Sequence, residues 1–154
     1  IEKTYIYNGE EQTFELNNYL EDKMNIKGNK RTDAGTQEVV VSLNNPNYEW
    51  SDGTKDDIKF TFTINPVKLE KPTLKESKLP YTGEEQIVEI LNLEEDVMTV
   101  TGNRATNVGQ YKAIVTLTNK NYVWKDDTTD DVILNYTIEP LVLVNTSSLL
   151  LAFE

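Results

Sequence analysis

Along several stretches of the chain every second residue is apolar. Val39, Val41 and Leu43 alternate with Val40 and Ser42, and Ile58, Phe60, Phe62 and Ile64 are separated by Lys59, Thr61 and Thr63. The same rhythm returns as Val132, Leu134, Tyr136 and Ile138. A period of two puts one set of side chains on each face of an extended strand, so these stretches predict half-buried strands. Tyr5 and Tyr7, then Asn8-Gly9, then Phe14 and Leu16 predict a hairpin, because Asn-Gly supplies the positive φ angles of a two-residue turn. Gly28 and Gly35, with Gly102 and Gly109, punctuate further turns. "ELNNYLEDK" lacks β-branched residues, which admits one short helix over Leu16–Lys23.

Sliding the sequence by 74 positions aligns Tyr7–Pro66 with Tyr81–Pro140 without a gap, and close to half of the 60 pairs are identical. "GEEQ", the Gly-Asn pairs at 28–29 and 102–103, "NY" followed by Trp, and a closing Thr-Ile recur in register. Two copies of one module therefore stand in tandem. The expected organisation is a first repeat over 1–66, a connector over 67–80 merging into the first strand of the second repeat, a second repeat over 81–140, and a terminal strand or the start of a further repeat over 141–154. Charge marks the same boundaries. The first copy carries 6 basic against 11 acidic residues and the second 4 against 11, whereas "VKLEKPTLKESKLP" between them is net positive. Its two prolines favour an extended backbone.

Each repeat is near the lower size at which one hydrophobic core is stable alone, so it must be compact. Strands joined by turns imply all-β, two tandem Ig-like β-sandwich domains of roughly seven short strands each, with β-grasp-like units bearing one short helix each as the alternative.

A net charge of −11 repels phosphate backbones and anionic lipid, which argues against nucleic acid and against direct membrane insertion. The apolar tail "LVLVNTSSLLLAFE" is too short and too interrupted by polar residues to span a bilayer. With no Cys and no His, thiol nucleophiles, zinc fingers, the Ser-His pairing and the commonest general base near neutral pH are all missing. The start at Ile1 without an initiator Met or signal peptide suggests a fragment of something longer.

The most site-like stretch is "NYEWSDGTKDD" from Asn47, repeated as "NYVWKDDTTDD" from Asn121. Tyr48 and Trp50, like Tyr122 and Trp124, fall at i and i+2 and share one face of a strand. They serve either as core filling or as an aromatic platform for sugar rings. Asp52, Asp56 and Asp57, with Asp126, Asp127, Asp130 and Asp131, are dense enough in carboxylate oxygens to be calcium candidates, although the spacing does not fit an EF-hand loop. The competing reading is a solvated loop whose Asp and Thr side chains bond nearby amides. Glu10 and Glu11, and Glu84 and Glu85, are adjacent and so face opposite sides of a strand, which makes them turn charges rather than an acid–base pair. Asn135 is a candidate acceptor for a Lys–Asn isopeptide bond; the first copy has Thr61 there, so the two copies cannot share that crosslink.

Taken together, a Gly two residues after Tyr, Ala34-Gly35 before an alternating strand, "NPNYEWSDGTKDD" and the closing "FTFTINP" resemble the Ig-like repeats of large cell-surface and secreted proteins of Gram-positive bacteria. The second copy departs from that pattern with Val108 for Ala34 and Asp127 for Gly53. The resemblance implies an extracellular, cell-surface or secreted parent and brings no catalytic residues and no cofactor. The expectation is a non-catalytic spacer or adhesin segment whose partners are neighbouring repeats of the same chain. The alternative is a module that binds a host glycan or protein, with calcium assisting at the acidic loops.

Overall fold

The computed structural model describes residues 3–145. The protein is all-β, and among the described residues there is no helix. It divides into two compact units. One comprises the chain up to Leu69 together with Lys120–Val123, and the other comprises Glu70–Asn119 and the chain from Trp124 onward. Residues 146–154 of the expected terminal segment lie outside the described residues.

The first unit carries β1 (Tyr5–Ile6), β2 (Gln12–Thr13), β3 (Met24–Lys27), β4 (Lys30–Arg31), β5 (Gly35–Leu43), β6 (Ile58–Asn65) and β7 (Val67–Leu69). Four of these make a sheet in the order β1-β6-β5-β3, and β2 and β4 form a separate two-stranded ribbon. β5 is antiparallel to both β3 and β6, and β1 lies parallel to β6 with Tyr5 opposite Ile64. The period-two reading holds where it was clearest. Val39 and Val41 of β5 and Phe62 and Ile64 of β6 are buried, while Thr61 and Thr63 face water; Ile58 and Phe60, expected on the inward face, are exposed in the first half of β6. Phe14, just after the ribbon strand β2, lies across this face with its ring 5.4 Å from Phe62 and 6.2 Å from Tyr5, which makes the second layer. Burying side chains of this size contributes about 1.5–3 kcal/mol each.

The hairpin expected around Asn8-Gly9 does not form. The Asn8 side chain accepts the Glu10 N–H at 2.9 Å and Gly9 takes φ +80°, so the turn itself is present. The Tyr7 N–H, however, donates to the Asn65 carbonyl at 2.9 Å, extending the parallel ladder along β6. The chain after the turn therefore leaves the sheet and enters the ribbon, and β1 never pairs with β2. Leu16–Lys23 is also not helical. Asn18 has φ +60°, a left-handed conformation that interrupts any right-handed helix, and the Leu20 carbonyl accepts the Lys23 and Met24 N–H groups in an isolated turn. Asn92 repeats that conformation at φ +63°. Without these helices, the alternative of β-grasp-like units with one short helix each does not describe this fold.

The second unit repeats the plan with β8 (Thr73–Leu74), β9 (Lys78–Pro80), β10 (Gln86–Ile87), β11 (Ile90–Leu91), β12 (Met98–Thr101), β13 (Arg104–Ala105), β14 (Gly109–Leu117) and β16 (Val132–Glu139), while β15 (Tyr122–Trp124) belongs to the first unit through Tyr122 and Val123. Its sheet runs β12-β14-β16-β9, with β9 parallel to β16, and β10–β13 and β11–β8 are two-stranded ribbons. Val88, Ala105, Ala113, Tyr136 and Ile138 form its core, with Leu74, Leu79 and Ile90 packed against them. The stretch 67–80, expected as an extended connector, thus carries three short strands, β7 to β9.

Candidate functional site

The repeated acidic stretch is a closed turn built on tryptophan. In the first copy the Trp50 N–H donates to the Thr54 carbonyl at 2.8 Å, the Gly53 N–H donates to the Trp50 carbonyl at 2.9 Å, and the indole Nε1–H donates to the Asp56 carbonyl at 2.7 Å. The second copy has the same three bonds from Trp124, Asp127 and the Trp124 indole, the last to the Asp130 carbonyl at 2.8 Å. Asp52 accepts both the N–H and the hydroxyl of Thr54, and Asp126 does the same with Thr128. This is a side chain bonding its own backbone two residues on. The Gly-to-Asp difference costs the turn little, because Gly53 has φ +85° and Asp127 φ +67°, a region that Asp tolerates better than most residues.

These bonds decide what the carboxylates can do. The Lys71 ammonium, 2.7 Å from Asp126, together with the Thr128 hydroxyl and N–H, holds the Asp126 carboxyl well below the usual carboxylate range. The Thr54 hydroxyl and then its N–H lower Asp52 in the same direction. Asp56 and Asp130 face their tryptophans with backbone carbonyls. Asp57 and Asp131 are exposed at the entry to β6 and β16. Among the described residues no three carboxylates come together as a cation cage. Of the seven calcium candidates, Asp52 and Asp126 are thus turn-forming acceptors, and Asp127 takes the left-handed turn position that Gly53 holds in the first copy. Asp56 and Asp130 anchor the indoles through their carbonyls, and Asp57 and Asp131 stand exposed.

The two tryptophans differ in setting. Trp124 is buried completely, as core filling requires, whereas Trp50 is only half-buried. β15 pairs with β7, and the Val67 N–H donates to the Asn121 carbonyl at 2.9 Å. The Asn121 side chain accepts the Ala34 N–H at 2.7 Å and donates to Asp33 at 3.2 Å, and Tyr122 meets the Tyr7 ring edge-on at 5.8 Å. The corresponding Asn47–Trp50 pairs with no strand among the described residues. Since the letters are nearly the same, sequence reasoning could not separate the two environments.

A second feature escaped the sequence reading. In each copy the carbonyl of a left-handed glycine receives a donor from a cross-strand pair, but from opposite strands. Gln37 lies opposite Phe62, and its amide donates to the Gly28 carbonyl at 2.6 Å. Tyr111 lies opposite Tyr136, and there the Tyr136 hydroxyl donates to the Gly102 carbonyl at 2.7 Å. Burial pushes the Tyr136 hydroxyl pKa up. Gln110, Lys112, Asn135 and Thr137 join Tyr111 and Tyr136 around a shallow cleft of about 300 Å³. Lys112 and Asn135 are register partners, but both are exposed on the outer face. An isopeptide bond needs an uncharged amine held against the carboxamide and shielded from water, and this face supplies no such shield. The glutamate pairs are surface charges: Glu11 faces Lys30 and Glu85 faces Arg104.

No helix among the described residues is long and apolar enough to cross a membrane. No protein-family model matches the chain, and no curated protein matches it.

Proposed function

We propose that this chain is a non-catalytic structural segment, two tandem Ig-like modules that serve as a spacer in a bacterial cell-surface or secreted protein, within a stalk or adhesin. One observation carries the reading. The most site-like stretch of each copy satisfies its own polar groups, since the indole N–H, the threonine and the first aspartate of each loop are bonded within the turn. A loop made for a ligand would keep convergent polar atoms available for it. The duplication supports the same reading, because a spacer gains reach by repeating an independently cored module. The extracellular setting comes from the resemblance of the "NPNYEWSDGTKDD" and "FTFTINP" stretches to surface-protein repeats.

Small-angle scattering at low protein concentration tests it. A compact globule of this length has a radius of gyration of about 15 Å. A spacer gives a value clearly above that and a skewed pair-distance distribution; a value at the globular figure overturns the reading. Saturable thermal stabilisation by calcium, or reproducible hits on a glycan array, would favour the binding module instead.

A further inference from the structure

The pairing of β7 with β15 brings together a set of groups whose counterparts elsewhere lack such a strand pairing among the described residues. Lys120–Val123 belongs to the first unit. It is held there by the strand Val67–Leu69 alongside it, the Ala34 N–H on the Asn121 side chain, Asp33 accepting from the Asn121 amide and pairing with Lys120, and the Tyr7 ring against Tyr122. Asn121 is 5 % exposed as a result. One group of residues thus acts as donor face (Tyr7, Ala34, Val67–Leu69) and another as acceptor (Asn121, Tyr122 and the rest of β15).

Shifting each group by the 74-residue period gives its counterpart. The donor face recurs as Tyr81, Val108 and Leu141–Leu143, and these stand 36 %, 49 % and, for Leu141 and Leu143, 61 % and 78 % exposed. The acceptor recurs as Asn47, Tyr48 and Trp50, where Asn47 is exposed, Trp50 is half-buried and no strand lies alongside among the described residues. Among the described residues the chain therefore carries a donor face and an acceptor edge related by the same period, and neither has a strand paired alongside it. In β7 the first and third side chains are half-buried and Lys68 faces water, so Leu141 and Leu143 would point inward and Val142 outward.

We propose that Asn47–Trp50 is a docking edge for the Leu141–Leu143 strand of a second copy of this chain, joined head to tail. The docked strand adds to the edge through its backbone, the Asn47 carboxamide accepts the Val108 N–H of the second copy, and Tyr48 meets that copy's Tyr81. Donor and acceptor are different surfaces, so the contact is heterologous and can propagate in line instead of closing on itself. Where modules follow one another in a longer chain, the same joint links successive repeats. An exposed apolar segment and an open edge are each an aggregation hazard; a specific joint between copies removes both at once. The inference stands on the repeated pairing and not on the spacer reading, which scattering at low concentration addresses separately.

Analytical ultracentrifugation of the full chain, up to about 1 mM since a three-residue strand docks weakly, should show association that deepens with concentration. In parallel, the Trp50 indole N–H resonance should move and the Trp124 one should stay. Leu141→Asp/Leu143→Asp removes the donor from a segment that makes no core contact, and Asn47→Ala/Tyr48→Ala removes the acceptor. Each variant should associate at least tenfold more weakly than the wild type. Mixed together they should form a one-to-one dimer, since one retains the acceptor and the other the donor. Val142→Lys, which copies Lys68, should associate like the wild type. If the acceptor variant does not fold, Asn47→Ala alone should still weaken association about two- to tenfold. A wild type that stays monomeric throughout, or a donor variant that still self-associates, overturns the proposal.

Discussion

Tyr136→Phe removes a single oxygen from the core of the second unit, and its effect can be worked from the geometry. The phenol is 2 % exposed and its hydroxyl donates to the Gly102 carbonyl at 2.7 Å. A neutral hydrogen bond of this kind contributes about 0.5–1.5 kcal/mol net, and stranding a buried acceptor raises the loss to about 1–3 kcal/mol. Gly102 itself is exposed, so water can take over its carbonyl and the lower range applies. The expected loss is about 1 kcal/mol, or about 4–8 °C in the Tm of a unit of this size. Urea titration followed on the indole N–H resonances reads each unit separately, Trp124 for the second and Trp50 for the first, which avoids forcing one transition on two units.

The sharper test uses the first copy, where the donor comes from the other strand. With Gln37 in place, Phe62→Tyr brings a second donor to a Gly28 carbonyl already taken by the Gln37 amide, and should be neutral or destabilising. After Gln37→Ala, the same substitution should restore the missing bond. The two changes must therefore be non-additive, with a coupling of about 0.5–3 kcal/mol favouring the double variant. Additivity within about 0.3 kcal/mol, or an unchanged Tyr136→Phe midpoint, would refute the idea that this carbonyl needs one donor from the pair.

Three further outcomes follow from the turns and the tryptophans. Gly28→Ala and Gly102→Ala should each cost at least about 2 kcal/mol, because φ is positive and an added Cβ would overlap the Glu38 or Lys112 carbonyl; Gly53→Asp should be nearly neutral in the same urea titrations, since nothing lies near that position and Asp127 already occupies its twin. Trp124→Ala should cost about 3–5 kcal/mol and Trp50→Ala clearly less, judged by denaturation midpoints, because only the former is completely buried. Acid should weaken the second unit through Asp126. Its folded pKa lies below the ordinary 3.8, so its contribution is complete above that value and is lost as pH falls through the folded pKa; thermal melts from about pH 7 to about pH 2 should show that decline, flattened by Asp126→Asn or Lys71→Met.

The long strands were legible in the sequence because alternation needs several residues to declare itself. β5, β6 and β16 are eight or nine residues each; the inward sets read from the letters hold in β5 and β16, whereas in β6 Phe62 and Ile64 are buried and Ile58 and Phe60 are exposed. The two-residue strands β1 and β2 are too short to alternate, and the parallel pairing of Tyr5 with Ile64 joins residues far apart in sequence. No local pattern announces such a pairing, so the Asn-Gly turn reads as a hairpin. The absence of β-branched residues over Leu16–Lys23 was a weak signal, overridden by one left-handed asparagine. At the acidic loop the residue types pointed correctly to self-bonded turns, yet the depth of each tryptophan depends on what lies beside its strand, and identical letters carry no record of that.

The exchange of donors at the glycine carbonyls explains why nearly half of the aligned letters suffice to keep one backbone in two places. What each copy holds fixed is a left-handed glycine lying tight against the neighbouring strand, at Glu38 and at Lys112, a fit that excludes a Cβ and leaves a carbonyl to be satisfied. Gln37 with Phe62 and Tyr111 with Tyr136 meet that requirement from opposite strands, and each pair fills the face with either one or two rings. A position-by-position comparison reads these as two unrelated differences. The register makes them one compensated change, since placing the donor on β16 leaves the partner position on β14 free to hold a second aromatic ring, 5.5 Å from Tyr136 and bonded through its own hydroxyl to the Asn107 carbonyl. The second core therefore gains a stacked tyrosine pair where the first relies on Phe14 and Tyr5 to cover Phe62. The two copies are thus the same sheet with different packing solutions, and hybrids that exchange only one member of a pair should be less stable than either parent.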